Sequence, residues 1–199
     1  SFRPIGPVES RAALAAAVRN RFPEKADAIV AAYDGDAPRA AADIGRDATV
    51  GLQMADWAAY QARYGKAPAY AYLFTRRQPY APGVVFSDHD PATVGAYHSG
   101  DVPYWLRTRP SLDLFRRTRI WEPGDVALER EMSDALLAFA RGGKPVSPTI
   151  GAWPAFDAAA PRLVWLAPDS QVVAWPHFAD MQVLRGSAME RPANGKPRD

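Results

Sequence analysis

With 199 residues, 48% of them hydrophobic, the chain is long enough to bury a core and short enough to count as one domain. Its 24 basic and 22 acidic residues leave a formal charge of +2, spread along the chain apart from a short run at Arg116, Arg117 and Arg119, so the focused basic face that nucleic acid demands is missing. The absence of cysteine excludes disulfides, thiolate catalysis and thiolate metal sites but leaves the compartment open, and no apolar run approaches the ~20 residues that span a bilayer.

The opening Ser1-Phe2-Arg3-Pro4-Ile5-Gly6-Pro7 carries no initiator methionine and looks like a connection inside a longer protein. A helix is predicted at about Glu9 to Arg21, where Leu14 and Val18 lie four apart and Pro23 acts as a stop. A second fits Lys25 to Tyr33, ended by Asp34-Gly35-Asp36. From Pro38 to Tyr64 the pattern is helical with a break near Gly51; Leu52, Met54, Ala55, Trp57, Ala58 and Tyr60 populate more than one face, which predicts a largely buried helix. Ala69 to Phe74, AYAYLF, is short, continuously apolar and aromatic. It is the best candidate for a strand buried on both faces in a parallel sheet.

Thr75 to Thr93 is rich in Pro, Gly, Asp and Arg and reads as a long irregular loop, a class of segment that tends to be functional. Gly124 to Arg141 forms a helix with Val126, Leu128, Met132, Leu136, Leu137 and Phe139 spaced to face a core, closed by Gly142-Gly143. Leu163 to Leu166 and Gln171 to Trp175 flank Ala167-Pro168-Asp169-Ser170 and read as a hairpin. A last helix is expected from about Phe178 to Met189, using Met181, Leu184 and Ala188. Residues Arg191 to Asp199, RPANGKPRD, read as a flexible tail.

Between the loop and the next helix lies VGAYHSGDVPYW, Val94 to Trp105. His98 therefore sits beyond the carboxyl end of a core strand, where open α/β sheets place their chemistry. Gly95 and Gly100 allow a turn close to other backbone, and Tyr97, Tyr104 and Trp105 can shield the site from water. Imidazole is the side chain suited to cycling protons at neutral pH.

The segment GAYHSGDVPYW resembles the histidine motif of type B carboxylesterases and cholinesterases, α/β-hydrolases in which glycine and an apolar pair precede the catalytic histidine and an acidic residue follows three positions later. Here Asp101 holds the acidic place. The strand APAYAYLF, the helix SDALLAFARGG, the segment Trp153-Pro154-Ala155-Phe156 and the strand Pro161-Arg162-Leu163-Val164-Trp165 follow the same family's order, from about Trp57 to Trp175. The resemblance implies an α/β class, the chain being the C-terminal part of an α/β-hydrolase fold over residues 1–190, with helices, a buried strand, the histidine loop, a closing helix and a terminal hairpin.

It further implies that His98 is the general base of a Ser-acid-His triad that hydrolyses carboxylic esters without a cofactor or a metal. Gly95, Gly100 and Asp101 would support its loop. Tyr80, Phe86, Tyr97 and Trp105 are candidates for the substrate pocket, although aromatic residues are also buried simply because they are large. Asp101 reads as a structural acceptor that holds the loop, three residues being a short return path for a triad partner. Asp88-His89-Asp90 has a metal-like composition, but acidic loops are commonly just solvated. His177, after Trp175-Pro176, reads as a surface or packing residue.

No serine stands in the G-x-S-x-G elbow, Ser99 and Ser187 included. The glycine-rich oxyanion segment is absent as well. Because hydrolase order is serine, acid, histidine, the nucleophile and the acid are expected in an N-terminal portion, which would be this chain's partner and would supply most of the central sheet. Alone, the chain is expected to be inactive and to expose apolar faces. Two other classes stay open, a non-catalytic cholinesterase-like adhesion protein and a module that uses the aromatic loop to bind an apolar ligand.

Overall fold

The computed structural model describes residues 5–185. They divide into two compact units, one made of the chain up to Trp57 together with the chain from Pro176, the other of Ala58–Trp175.

In the first unit, helix α1 (Arg11–Arg21) starts where the Ser10 hydroxyl accepts the Ala13 N–H, which satisfies one of the amides a helix start leaves unpaired. It buries Leu14 and Val18, the pair picked out by their spacing. Helix α2 (Ala26–Ala32) buries Ile29. Helix α3 (Ala37–Arg46) is capped by Asp36, with Pro38 in its first turn, and runs through a π turn at Asp47–Gly51 into α4 (Leu52–Tyr64).

The break near Gly51 is thus a widened turn within a continuous helical path. A Cβ on Gly51 would stand 2.6 Å from Asp47 Oδ1 and would displace that carboxylate from Arg46. Helix α4 is not the buried element its composition predicts: only Ala55 is buried, while Trp57, Tyr60 and Tyr64 are 70%, 63% and 67% exposed. The C-terminal segment forms a 3₁₀ turn, Asp180–Leu184, that buries Met181 and Leu184. The longer helix read there is corrected to this extent; its continuation through Ala188, and the tail, lie outside the described residues.

In the second unit, strand β1 (Tyr72–Phe74) pairs in parallel with β4 (Arg162–Leu166), and β4 pairs antiparallel with β5 (Gln171–Ala174), giving the order β1-β4-β5. The hairpin joins the two short apolar runs predicted for it. Strand β1, however, is an edge of this sheet and half-exposed, so its continuous apolar run does not reflect burial on both faces. The central strand β4 is the buried one, through Leu163, Val164 and Leu166.

After the short helix α5 (Val102–Trp105), helix α6 (Pro123–Gly142) begins with proline and a reciprocal cap between Glu122 and Asp125, and ends on Gly143 at φ +70°. Its buried stripe is Leu128, Met132 and Ala135; Val126, Leu136, Leu137 and Phe139, also read as core residues, are about half-exposed. Two further strands, β2 (Val146–Ser147) and β3 (Gly151–Ala152), form a small antiparallel ladder that the sequence pattern does not announce. The core combines Tyr104, Leu128, Met132, Ala135, Trp153, Val164 and Leu166.

Candidate functional site

The segment that carries the candidate site leaves β1 at Phe74, where the Thr75 N–H donates to the Leu166 carbonyl at 3.0 Å and carries the parallel pairing one step further. Arg76 then turns inward. Its Nε and Nη2 reach the two oxygens of Asp125 at 2.8 and 2.9 Å, a bidentate pair at the N-terminus of α6. The Tyr104 hydroxyl donates to the same carboxylate at 2.8 Å. Burial alone would raise the Asp125 carboxyl, but Arg76, the Glu122 N–H and Tyr104 outweigh it and hold that carboxyl below the usual range. Burial and the Asp125 charge push the Tyr104 hydroxyl up.

Between Arg76 and Tyr104 the chain makes its excursion and returns through the His98 turn. The Gly100 N–H donates to the Tyr97 carbonyl at 3.0 Å, and Ser99 sits at φ +67°, a left-handed conformation uncommon for a residue with a Cβ. Gly95 is also left-handed, at φ +69°. Gly100 is buried, and a Cβ there would meet the Tyr97 carbonyl oxygen at 3.0 Å. His98 itself is exposed, and its ring makes no hydrogen bond with any side chain or backbone group among the described residues.

The Asp101 carboxylate is turned to other partners. Its Oδ2 accepts from the Tyr72 hydroxyl at 3.0 Å and from the Trp105 indole N–H at 3.1 Å, which ties β1 to α5. Burial and the Asp101 charge push the Tyr72 hydroxyl up to about 12.

Three of the four aromatic residues read as pocket candidates come together. Tyr80 and Phe86 meet edge to face at 5.3 Å, Phe86 stacks on His89 at 4.5 Å, and His89 lies 5.8 Å from the Tyr97 ring. The Tyr80 hydroxyl is within 2.8 Å of His89 Nε2. Burial, together with Tyr97, pushes the Tyr80 hydroxyl up to about 12. Trp105 stands apart from this group, against Tyr72 and Trp153 at 5.1 and 6.4 Å.

Within Asp88-His89-Asp90, Asp88 contacts His89 Nδ1 at 2.9 Å, whereas Asp90 accepts from the Ala92 N–H and the Thr93 hydroxyl. Among the described residues no group of three or more His, Asp or Glu side chains could hold a metal ion. In the other unit His177, at φ +54°, stacks on Tyr33 at 5.1 Å between Asp43 and Asp180. That is a packed position.

Two polar residues that the sequence reading passed over stand at the turn. Gln78 and Arg119 are each 6% exposed and bonded to each other. Nothing in the local pattern of Thr75-Arg76-Arg77-Gln78-Pro79 marks Gln78 as buried, and Arg119 is concealed in a run of charges.

The model of the carboxylesterase family matches residues 10–182. No curated protein sequence matches the chain. Among solved structures, it is similar to a PNB esterase at 19% identity with a TM-score of 0.61, over 90% of this chain and 34% of that one. A thermophilic PNB esterase matches at 19% identity and a TM-score of 0.60, over 91% of this chain and 35% of its own. A third structure, again a PNB esterase, gives 20% identity and a TM-score of 0.59, over 91% and 34%. The chain therefore spans about a third of the length of these esterases, and its mixed α/β arrangement corresponds to part of an α/β-hydrolase esterase. No helix among the described residues is long and apolar enough to cross a membrane. With a family match that runs through both units, the chain belongs to the carboxylesterase family.

Proposed function

We propose that this chain contributes the general-base histidine, His98, to a carboxylic ester hydrolase whose nucleophilic serine and triad acid lie on an N-terminal portion. The observation that carries the reading is the placement of His98: an exposed imidazole, its ring free among the described residues, on a turn beyond the carboxyl end of β1. A general base must have its nitrogen open to the hydroxyl it deprotonates and must be oriented by a third group. In the assembled enzyme the ring takes the serine proton as the hydroxyl attacks the ester carbonyl. It then returns that proton to the departing alcohol. Asp101, already engaged by Tyr72 and Trp105, supports the loop and leaves the triad acid to the N-terminal portion.

The partner reading is supported by what the chain leaves uncovered. The outer edge of β1 has no strand paired to it among the described residues. Tyr72, Phe115, Leu137 and Phe139 are exposed, Phe115 to 98%. A portion making up the remaining two thirds of an esterase would cover such faces and extend the sheet. Its substrate would be a small-molecule ester, with the group of Tyr80, Phe86 and Tyr97 as a candidate aromatic lining for it.

The test is fluorophosphonate labelling of the native protein followed by intact mass spectrometry. Label on a serine in an associated or continuous N-terminal portion, lost when His98 is replaced by glutamine, supports the assignment. Labelling that is indifferent to His98 would remove it, and a folded chain that acts alone as an apolar-ligand module would take its place.

A further inference from the structure

We propose that Gln78 and Arg119 form a buried clamp that positions the His98 turn, a role that rests on the reading of His98 as the general base. The Gln78 Nε2 donates to the Gly100 carbonyl at 3.0 Å, two residues after the histidine. Its Oε1 accepts from Arg119 Nε at 3.2 Å. Arg119 Nη2 donates to the Tyr97 hydroxyl at 3.2 Å, one residue before the histidine. One bonded pair therefore holds the turn on both sides of His98, at Tyr97 and at Gly100.

The chemistry of the pair admits few replacements. A guanidinium can only donate and a carbonyl can only accept, so the side chain between them must accept at one end and donate at the other. Glutamine does both and is neutral. Glutamate keeps the contact with Arg119 and loses the donation to Gly100. Methionine keeps the length and loses both.

The clamp is anchored independently of the turn. Arg119 Nη1 donates to the Thr118 hydroxyl at 2.7 Å, and Asp113 Oδ1 accepts the N–H groups of Thr118 and Arg119 at 2.7 and 3.1 Å. The Ile120 N–H donates to the Pro79 carbonyl at 2.7 Å, which fixes the segments carrying Gln78 and Arg119 side by side. The turn itself has only two short-range backbone bonds, from the Gly100 N–H to the Tyr97 carbonyl and from the Val102 N–H to the Ser99 carbonyl at 3.2 Å, and a left-handed Ser99. Proton transfer needs the imidazole held to within about 0.5 Å. A turn this spare, ending on an exposed side chain, requires external support to meet that tolerance.

The experiment compares the whole chain with Gln78→Met and Gln78→Glu by amide hydrogen exchange, read in peptides covering the His98 turn, with α6 as the check on folding. Exchange about fivefold to tenfold faster in the turn, with α6 unchanged, is expected in both variants, because each loses the bond to Gly100. In the assembled esterase the same variants should lower kcat about tenfold and leave KM unchanged. Arg119→Lys, which keeps the charge and loses the fork, should behave likewise.

Unchanged exchange at the turn overturns the clamp, and so does faster exchange with an unaltered kcat. If the assembled wild-type protein hydrolyses no ester, the general-base reading falls, and the exchange result then decides the clamp by itself.

Discussion

The hydroxyl of Tyr104 donates to Asp125 at 2.8 Å and so joins the helix after the His98 turn to the first turn of α6. Asp125 is fully buried and also holds Arg76. Asp125→Asn leaves Arg76 with only the exposed Glu122, at 2.8 Å, as a charged partner and should cost about 2 kcal/mol at neutral pH. The sign of the pH dependence follows from the lowered carboxyl of the folded state. Its stabilisation is fully present above the unfolded-state value of ~3.9 and is lost as pH falls through the lower folded-state value. Urea midpoints of the wild type and the variant should therefore differ at pH 7 and draw together in strong acid. A gap that stays constant would mean that the carboxylate charge plays no part.

Replacing His98 by glutamine should separate activity from stability. Because the side chain is exposed, the melting temperature should be that of the wild type, with a stability change within about 0.5 kcal/mol. In the assembled esterase kcat should fall on the order of 10⁴-fold to 10⁶-fold. Hydrolysis of a chromogenic aryl ester and a thermal scan make the comparison.

Asp101→Asn distinguishes a loop support from a triad member. Asparagine can keep an acceptor oxygen toward Tyr72 and Trp105 but loses the charge, which costs about 1 kcal/mol. The kcat of the assembled enzyme should drop less than tenfold. A loss near 10⁴-fold, the signature of a removed triad carboxylate, would move Asp101 into the catalytic set.

Gly100→Ala tests the close approach at the turn. Its Cβ would meet the Tyr97 carbonyl oxygen at 3.0 Å, and backbone cannot yield as a flexible side chain can. A loss of about 1 kcal/mol and a lower kcat are expected. Gly142→Ala is the control, since nothing stands within 4 Å of its Cβ. In a helix it should be neutral or slightly stabilising. Thermal scans of the two variants settle the difference.

Local chemistry was legible in the sequence wherever a few neighbouring residues decide the outcome. Leu14 and Val18 are buried on α1 as their spacing says, and Gly143 ends α6 at φ +70°. Faces were harder to read. Helix α6 has apolar side chains around more than half of its circumference, so spacing alone does not choose the Leu128, Met132, Ala135 stripe over Val126 and Leu137. Helix α4 reads as buried because Trp57 and Tyr60 are large and apolar, yet neither is covered. Gln78 and Arg119 were illegible for the opposite reason. Polar residues signal surface, and only tertiary pairing reveals that each satisfies the other.

The parallel ladder between β1 and β4 has a consequence for how the chain reaches its fold. Tyr72 pairs with Val164, partners roughly ninety residues apart, and the loop that must close between them carries the whole histidine segment. Such closures are entropically expensive and set the pace of folding. During synthesis the Leu166 carbonyl that receives the Thr75 N–H emerges long after His98. His98 is thus synthesised well before the strand that completes the ladder, and the loop that carries it closes only once that strand has arrived.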